Sequence, residues 1–75
     1  MTKLEKQIID IFKNNLKDKK IKKNSTIQNT EGWDSLNHVN IVSEVSKKFS
    51  IKISFNEMVN INSVRNIISL VKKKL

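Results

Sequence analysis

The apolar residues of this chain recur at intervals of three and four, a spacing that restricts it to amphipathic helices. The last segment shows this most cleanly. Val64, Ile67, Ile68, Val71 and Leu75 fit one helical face without a miss, and Lys72, Lys73 and Lys74 sit at the end where cations complement the helix dipole. Asn62 can cap this helix. At the other terminus Thr2 and Glu5 have capping-box spacing, and Leu4, Ile8, Ile11, Phe12 and Leu16 mark one face of a helix over about residues 3–16. A further helix is predicted over about Ser35–Phe49, with Asp34 as N-cap, an apolar stripe of Leu36, Val39, Val42, Val45 and Phe49, and Lys47 and Lys48 in its last turn. Ser50-Ile51-Lys52-Ile53 alternates as a strand does, but a lone strand has no partner here, so it reads as an extended connector. Ser54 and Glu57 form a second capping box that opens a short helix through Phe55, Met58 and Val59.

Between the first two helices, Lys17–Asn24 is a lysine-rich run expected to stay in solvent. Asn24–Asp34 shows turn formers, with Ile27 and Trp33 expected to pin a long loop onto the core. The predicted fold is therefore all-α: a small four-helix bundle of three long helices and one short one, up-down in order, with a long loop between helices 1 and 2.

A chain of 75 residues reads as a single domain, 1–75, without room for a catalytic domain beside a binding domain. It has no cysteine, which excludes a disulfide, a thiolate metal site and a cysteine nucleophile, and no metal site is expected. No apolar run approaches the roughly 20 residues that span a bilayer, and Met1–Lys6 lacks the apolar stretch of a secretory signal. A cytoplasmic monomer is the expectation. The net charge is +8: residues 1–23 hold eight lysines against Glu5, Asp10 and Asp18, and residues 24–75 hold six lysines and Arg65 against four acids. Such a balance suits an anionic partner. It also suits a solvated lysine surface, and a single arginine is unlike the Arg-rich faces that read nucleic acid.

The chemistry-bearing stretch is Gly32-Trp33-Asp34-Ser35-Leu36. Ser35 falls in the first turn of the second helix, beside unpaired amides and the positive end of the dipole, a place suited to a phosphate ester. With His38 three residues on, Asp34, Ser35 and His38 invite comparison with a hydrolase triad. Adjacent Asp34 and Ser35 cannot easily put the acid behind the imidazole, however, and no Gly-x-Ser-x-Gly elbow is present. His38 is expected at the surface, near Ser35, and no catalytic residue is assigned.

Asp34-Ser35-Leu36 at a helix start resembles the attachment site of the acyl carrier protein family. The resemblance covers about the last forty-five residues without a gap, through the helix ending at Phe49, the connector with Ile53, the short helix and the Ser63-Val64 start of the last one. Residues 1–31 agree in pattern only. The resemblance implies that Ser35 carries a 4'-phosphopantetheine arm, that Asp34 supports its modification, and that Leu36 anchors the helix start. It implies that Gly32 keeps side chains out of the approach to the site. The implied partners are a phosphopantetheinyl transferase using coenzyme A, a ligase that activates an acyl or aminoacyl group, and a downstream acyltransferase or synthase. Phe12, Val39, Val42, Met58, Ile61 and Ile67 are the apolar residues whose packing would shelter a cargo. Fatty-acid carriers look strongly acidic along the second helix, whereas this one offers Asn37, Asn40, Ser46, Lys47 and Lys48 with Glu44 as the one acid after Asp34. That departure points to a dedicated carrier outside bulk fatty-acid synthesis. The alternative from a different class is a small basic helical nucleic-acid binder. Its weakness is the lack of a helix with several Arg, Asn or Gln at base-reading spacing.

Overall fold

Every helix begins where a side chain takes up an amide that the helix itself leaves unpaired. The computed structural model describes residues 2–16 and 20–75, with α1 at Lys3–Asn15, α2 at Ser35–Phe49, α3 at Phe55–Asn60 and α4 at Val64–Lys74. Thr2 Oγ1 accepts the Glu5 amide at 3.2 Å while Glu5 Oε1 accepts the Thr2 amide at 3.0 Å. Ser54 and Glu57 repeat the arrangement at 3.1 and 2.9 Å. Both boxes stand where the spacing predicts them. The cap of α4 does not: Ser63 Oγ accepts the Asn66 amide at 3.1 Å, and Asn62 instead donates its own amide to Asn66 Oδ1 at 3.2 Å. The serine is one residue closer to the helix and reaches the third amide directly.

The long helix α1 packs against both α2 and α4. Ile8, Phe12, Ile41, Val45, Val64, Ile67 and Val71 are fully enclosed between them. Ile9 and Ile41 are buried although neither belongs to the predicted stripes. The stripe read along α2 is only partly right, because repeated steps of three drift around a helix. Leu36 and Val45 are nine residues apart, which is about 180° at 3.6 residues per turn. Val45 is sealed in the core, whereas Leu36 is 71% exposed and Val39 47%. The buried face of α2 is His38, Ile41, Val42 and Val45, with Phe49 half-buried below it. Leu75 lies past the end of α4 and is exposed.

The loop between α1 and α2 is fastened more firmly than its composition suggests. Of the run Lys17–Asn24, residues 17–19 lie outside the described residues, and Ile21 is buried among the core side chains and not in solvent. Thr26 and Ser63 form an isolated antiparallel bridge, with the Ile27 amide donating to Asn62 O at 2.9 Å and the Val64 amide to Ser25 O at 3.0 Å. Ile27 is half-buried and Trp33 fully so, as expected of the two pins. After α2, Ser50 takes a left-handed conformation (φ 53°) that turns the chain, and the Ile51 amide donates to Ser46 O at 3.0 Å. Residues 51–54 then lead to α3 without pairing as a strand. No helix among the described residues is long and apolar enough to cross a membrane.

An ionic clasp joins three parts of the chain at one end of the bundle. The nearly buried Glu5 carboxylate meets Lys23 Nζ from the loop at 2.6 Å and Lys72 Nζ from α4 at 3.9 Å. The Lys23 ammonium, helped by the Thr2 amide, holds the Glu5 carboxyl down from 4.5 to about 2. Because the folded value lies below the unfolded one, Glu5 stabilises the fold fully above pH 4.5 and ceases to do so as pH falls towards about 2. The urea midpoint should decline across that window, and decline less steeply in Glu5→Gln. Equal slopes for the two proteins would show that the clasp contributes nothing. Lys23 is half-exposed, so added salt should weaken the effect.

Candidate functional site

Ser35 is the first residue of α2 and is exposed to solvent. The turn before it sets its position. Gly32 has φ +85°, a conformation that L side chains rarely adopt, and a Cβ built there would meet nothing within 4 Å. Within this chain, therefore, backbone conformation and not crowding requires the glycine. The Gly32 carbonyl accepts the Asp34 amide at 3.0 Å and Asn37 Nδ2 at 2.7 Å, closing the turn onto the helix start. Asp34 Oδ1 accepts the Asn37 amide at 2.9 Å, and Asp34 O accepts the His38 amide at 2.8 Å as the first helical bond. The amides of Ser35 and Leu36 precede any intrahelical acceptor, and the first turn of α2 holds no acidic residue. An anion esterified to Ser35 Oγ would stand beside these amides and the positive end of the helix dipole, with the Asp34 carboxylate as the opposing charge next to it. Leu36 does not anchor this helix start by packing, since it points away from the buried face.

His38 is not at the surface. It lies on the buried face of α2, one turn before Ile41 and Val42. Trp33 Nε1 donates to His38 Nδ1 at 2.9 Å, and His38 Nε2 meets Met58 O in α3 at 2.8 Å. Indole can only donate and a carbonyl can only accept, so the two contacts match the tautomer that carries its proton on Nε2. Both ring nitrogens are engaged away from Ser35, and Asp34 is occupied in capping. The three residues do not assemble into a triad. On its other side Trp33 meets Phe12 of α1 edge to face at 4.8 Å between centroids, so a line of contacts runs from α1 through the loop and α2 to α3.

A family model described as the phosphopantetheine attachment site matches residues 6–71. The chain belongs to this family. Its members carry 4'-phosphopantetheine covalently on a serine, and the chain is a carrier domain with such an arm. No curated protein sequence matches it at a significant level. The four-helix order and the long α1–α2 loop agree with the acyl-carrier fold expected from the resemblance.

The residues around Ser35 fit the arm of this carrier domain. The hydroxyl stands in solvent, unpaired amides flank it, and the exposed Asp34 carboxylate retains acceptor capacity beyond its one bond to Asn37. On α2 and α3 the apolar side chains Leu36, Val39, Phe55 (73% exposed) and Val59 (55% exposed) are left to solvent. Val39 is therefore no part of an interior that shelters cargo, whereas Phe12, Val42, Ile61 and Ile67 are buried and Met58 half-buried. Sequence reasoning missed the inward place of His38. The signal was available: extending the Ile41, Val42 and Val45 face back by one turn arrives at residue 38.

Proposed function

We propose that Ser35 is the attachment residue and that this carrier serves a dedicated pathway outside bulk fatty-acid synthesis. The observation that carries the reading is an exposed serine at the first position of α2, directly after a capping aspartate, in a chain of the attachment-site family. In the modification, Ser35 Oγ attacks the β-phosphorus of coenzyme A. A new O–P bond forms, the pyrophosphate bridge breaks, adenosine 3',5'-bisphosphate leaves, and the hydroxyl proton passes to a base of the transferase. Asp34 offers a carboxylate beside the nucleophile for the transferase's metal. The arm, once attached, supplies the thiol that a cysteine-free chain lacks, and holds an acyl or aminoacyl group as a thioester. Residues 1–75 act as one carrier domain, a cytoplasmic monomer that makes no bond itself. The competing nucleic-acid reading draws on the net charge and the helices, and Lys23, Lys72 and Lys74 are engaged with Glu5 and Glu57.

Incubation with a broad-specificity phosphopantetheinyl transferase, magnesium and coenzyme A should add the mass of one phosphopantetheinyl group. Tandem mass spectrometry should place it on Ser35. No gain with any transferase, the host's own included, overturns the reading.

Partner choice should follow the charge of α2. Lys47 and Lys48 are exposed in its last turn, where fatty-acid carriers look acidic, so the cognate ligase should present a neutral or acidic rim. Replacing both with Glu is expected to lower kcat/KM for charging by the cognate ligase about three- to tenfold at low salt, and less at high salt. The same change should improve turnover by a fatty-acid ketoacyl synthase. If both reactions are unchanged, the lysines serve only solvation and the helix dipole.

A further inference from the structure

Helix α3 is weakly held. It is six residues long, buries none of them, and an isolated helix of that length is unstable in water. Its Phe55 and Val59 side chains point into solvent. What fastens it is a short set of contacts: the half-buried Met58, the buried Ile61 that follows, the Glu57–Lys74 pair at 3.1 Å, and the bond from His38 Nε2 to Met58 O. The last of these is the one that ties α3 to the start of α2. Met58 O lies in the final turn of α3, where carbonyls lack helical partners, and it also takes the Ile61 amide at 3.2 Å. The imidazole therefore acts as a C-terminal cap supplied by another helix.

We propose that His38 is a positioning residue for modification of Ser35. Through Trp33 it fixes the turn that ends in Asp34, and through Met58 O it holds α3 in one orientation beside that turn. A transferase that covers Ser35 then meets Leu36, Val39, Phe55 and Val59 in a single arrangement. Without His38's two hydrogen bonds α3 samples others, and only the fraction with α3 in place binds the enzyme. Apparent affinity falls by that fraction while the bound complex reacts at its usual rate. This inference rests on Ser35 being the attachment residue.

The test compares wild type with His38→Leu, which fills the space without either bond, and His38→Gln, which keeps one acceptor and one donor on a single planar group. With transferase, magnesium and coenzyme A, the Leu variant should raise KM for the carrier about three- to tenfold with kcat within about twofold, the range expected for losing buried neutral hydrogen bonds. Amide exchange over residues 57–61 should accelerate, and the emission of Trp33, the only tryptophan, should shift. The Gln variant should restore KM, slow exchange and the wild-type emission. Ile68→Val, a mild core change in α4 distant in sequence from the site, serves as the stability control. Unchanged KM in a folded Leu variant overturns the proposal, as does unaltered exchange in α3. So does a KM rise that Gln fails to reverse or that Ile68→Val reproduces at equal loss of stability. If wild type itself takes no mass at Ser35, the attachment reading fails, while the exchange data still decide whether His38 holds α3.

Discussion

Ser35→Ala is expected to abolish the gain of a phosphopantetheinyl group completely and to leave the fold intact. The two outcomes separate because Ser35 and the helix start depend on different atoms. Asp34 supplies the cap through its bond to the Asn37 amide, and the Gly32 carbonyl closes the turn from outside. Alanine is a good helix former, and an exposed first-turn position away from any cap usually shifts stability by no more than about 0.5 kcal/mol. Circular dichroism and the urea midpoint should therefore match wild type while intact mass shows no addition. Residual labelling would place the attachment on another hydroxyl. A collapse of the midpoint would mean that Ser35 has a structural role that its exposure does not suggest. Asp34→Ala gives the complementary result, losing about 1 kcal/mol with the cap as well as slowing modification.

Phe12→Ala should bring the protein close to unfolding. Phe12 is completely enclosed and stands edge to face with Trp33, so truncation removes a large apolar side chain and an aromatic pair together. Losses of about 3–5 kcal/mol are typical for such a change. A chain of this length has roughly 4–11 kcal/mol in all. Urea unfolding followed by Trp33 emission and by circular dichroism should show a midpoint lowered by at least about a quarter, with Trp33 already partly solvated before the transition. Val39→Ala provides the contrast, since Val39 faces solvent and should change stability by no more than about 0.5 kcal/mol. Comparable losses at Phe12 and Val39 would mean that the buried face of α2 is misassigned.

Three of the four helix starts, and the place of Ser35 in the first turn of α2, were legible in the residues themselves, because both depend on neighbours within about one turn. Thr2 with Glu5, Ser54 with Glu57, and Asp34 each reach an amide three residues on, so local spacing located these caps, whereas at α4 two adjacent capping residues, Asn62 and Ser63, competed and the serine took the role. The exposed first-turn position of Ser35 was legible for the same reason: a helix start places a hydroxyl beside unpaired amides whatever the helix later packs against. The face of α4 was also readable, since Val64, Ile67, Ile68 and Val71 admit only one apolar side.

Tertiary structure decided what depends on residues distant in sequence. Helix α2 has apolar residues on more than one side, and only its contact with α1 chose Ile41 and Val45 over Leu36 and Val39. That choice carried His38 inward, where a polar ring is tolerated because Trp33 and Met58, from the loop and from α3, satisfy both of its nitrogens. Ile21 looked solvated among lysines, but it lies in the core, in a loop that the Thr26–Ser63 bridge ties to the start of α4. Local spacing fixes where a helix begins; which of its sides is buried is a property of the surfaces that other segments bring to it.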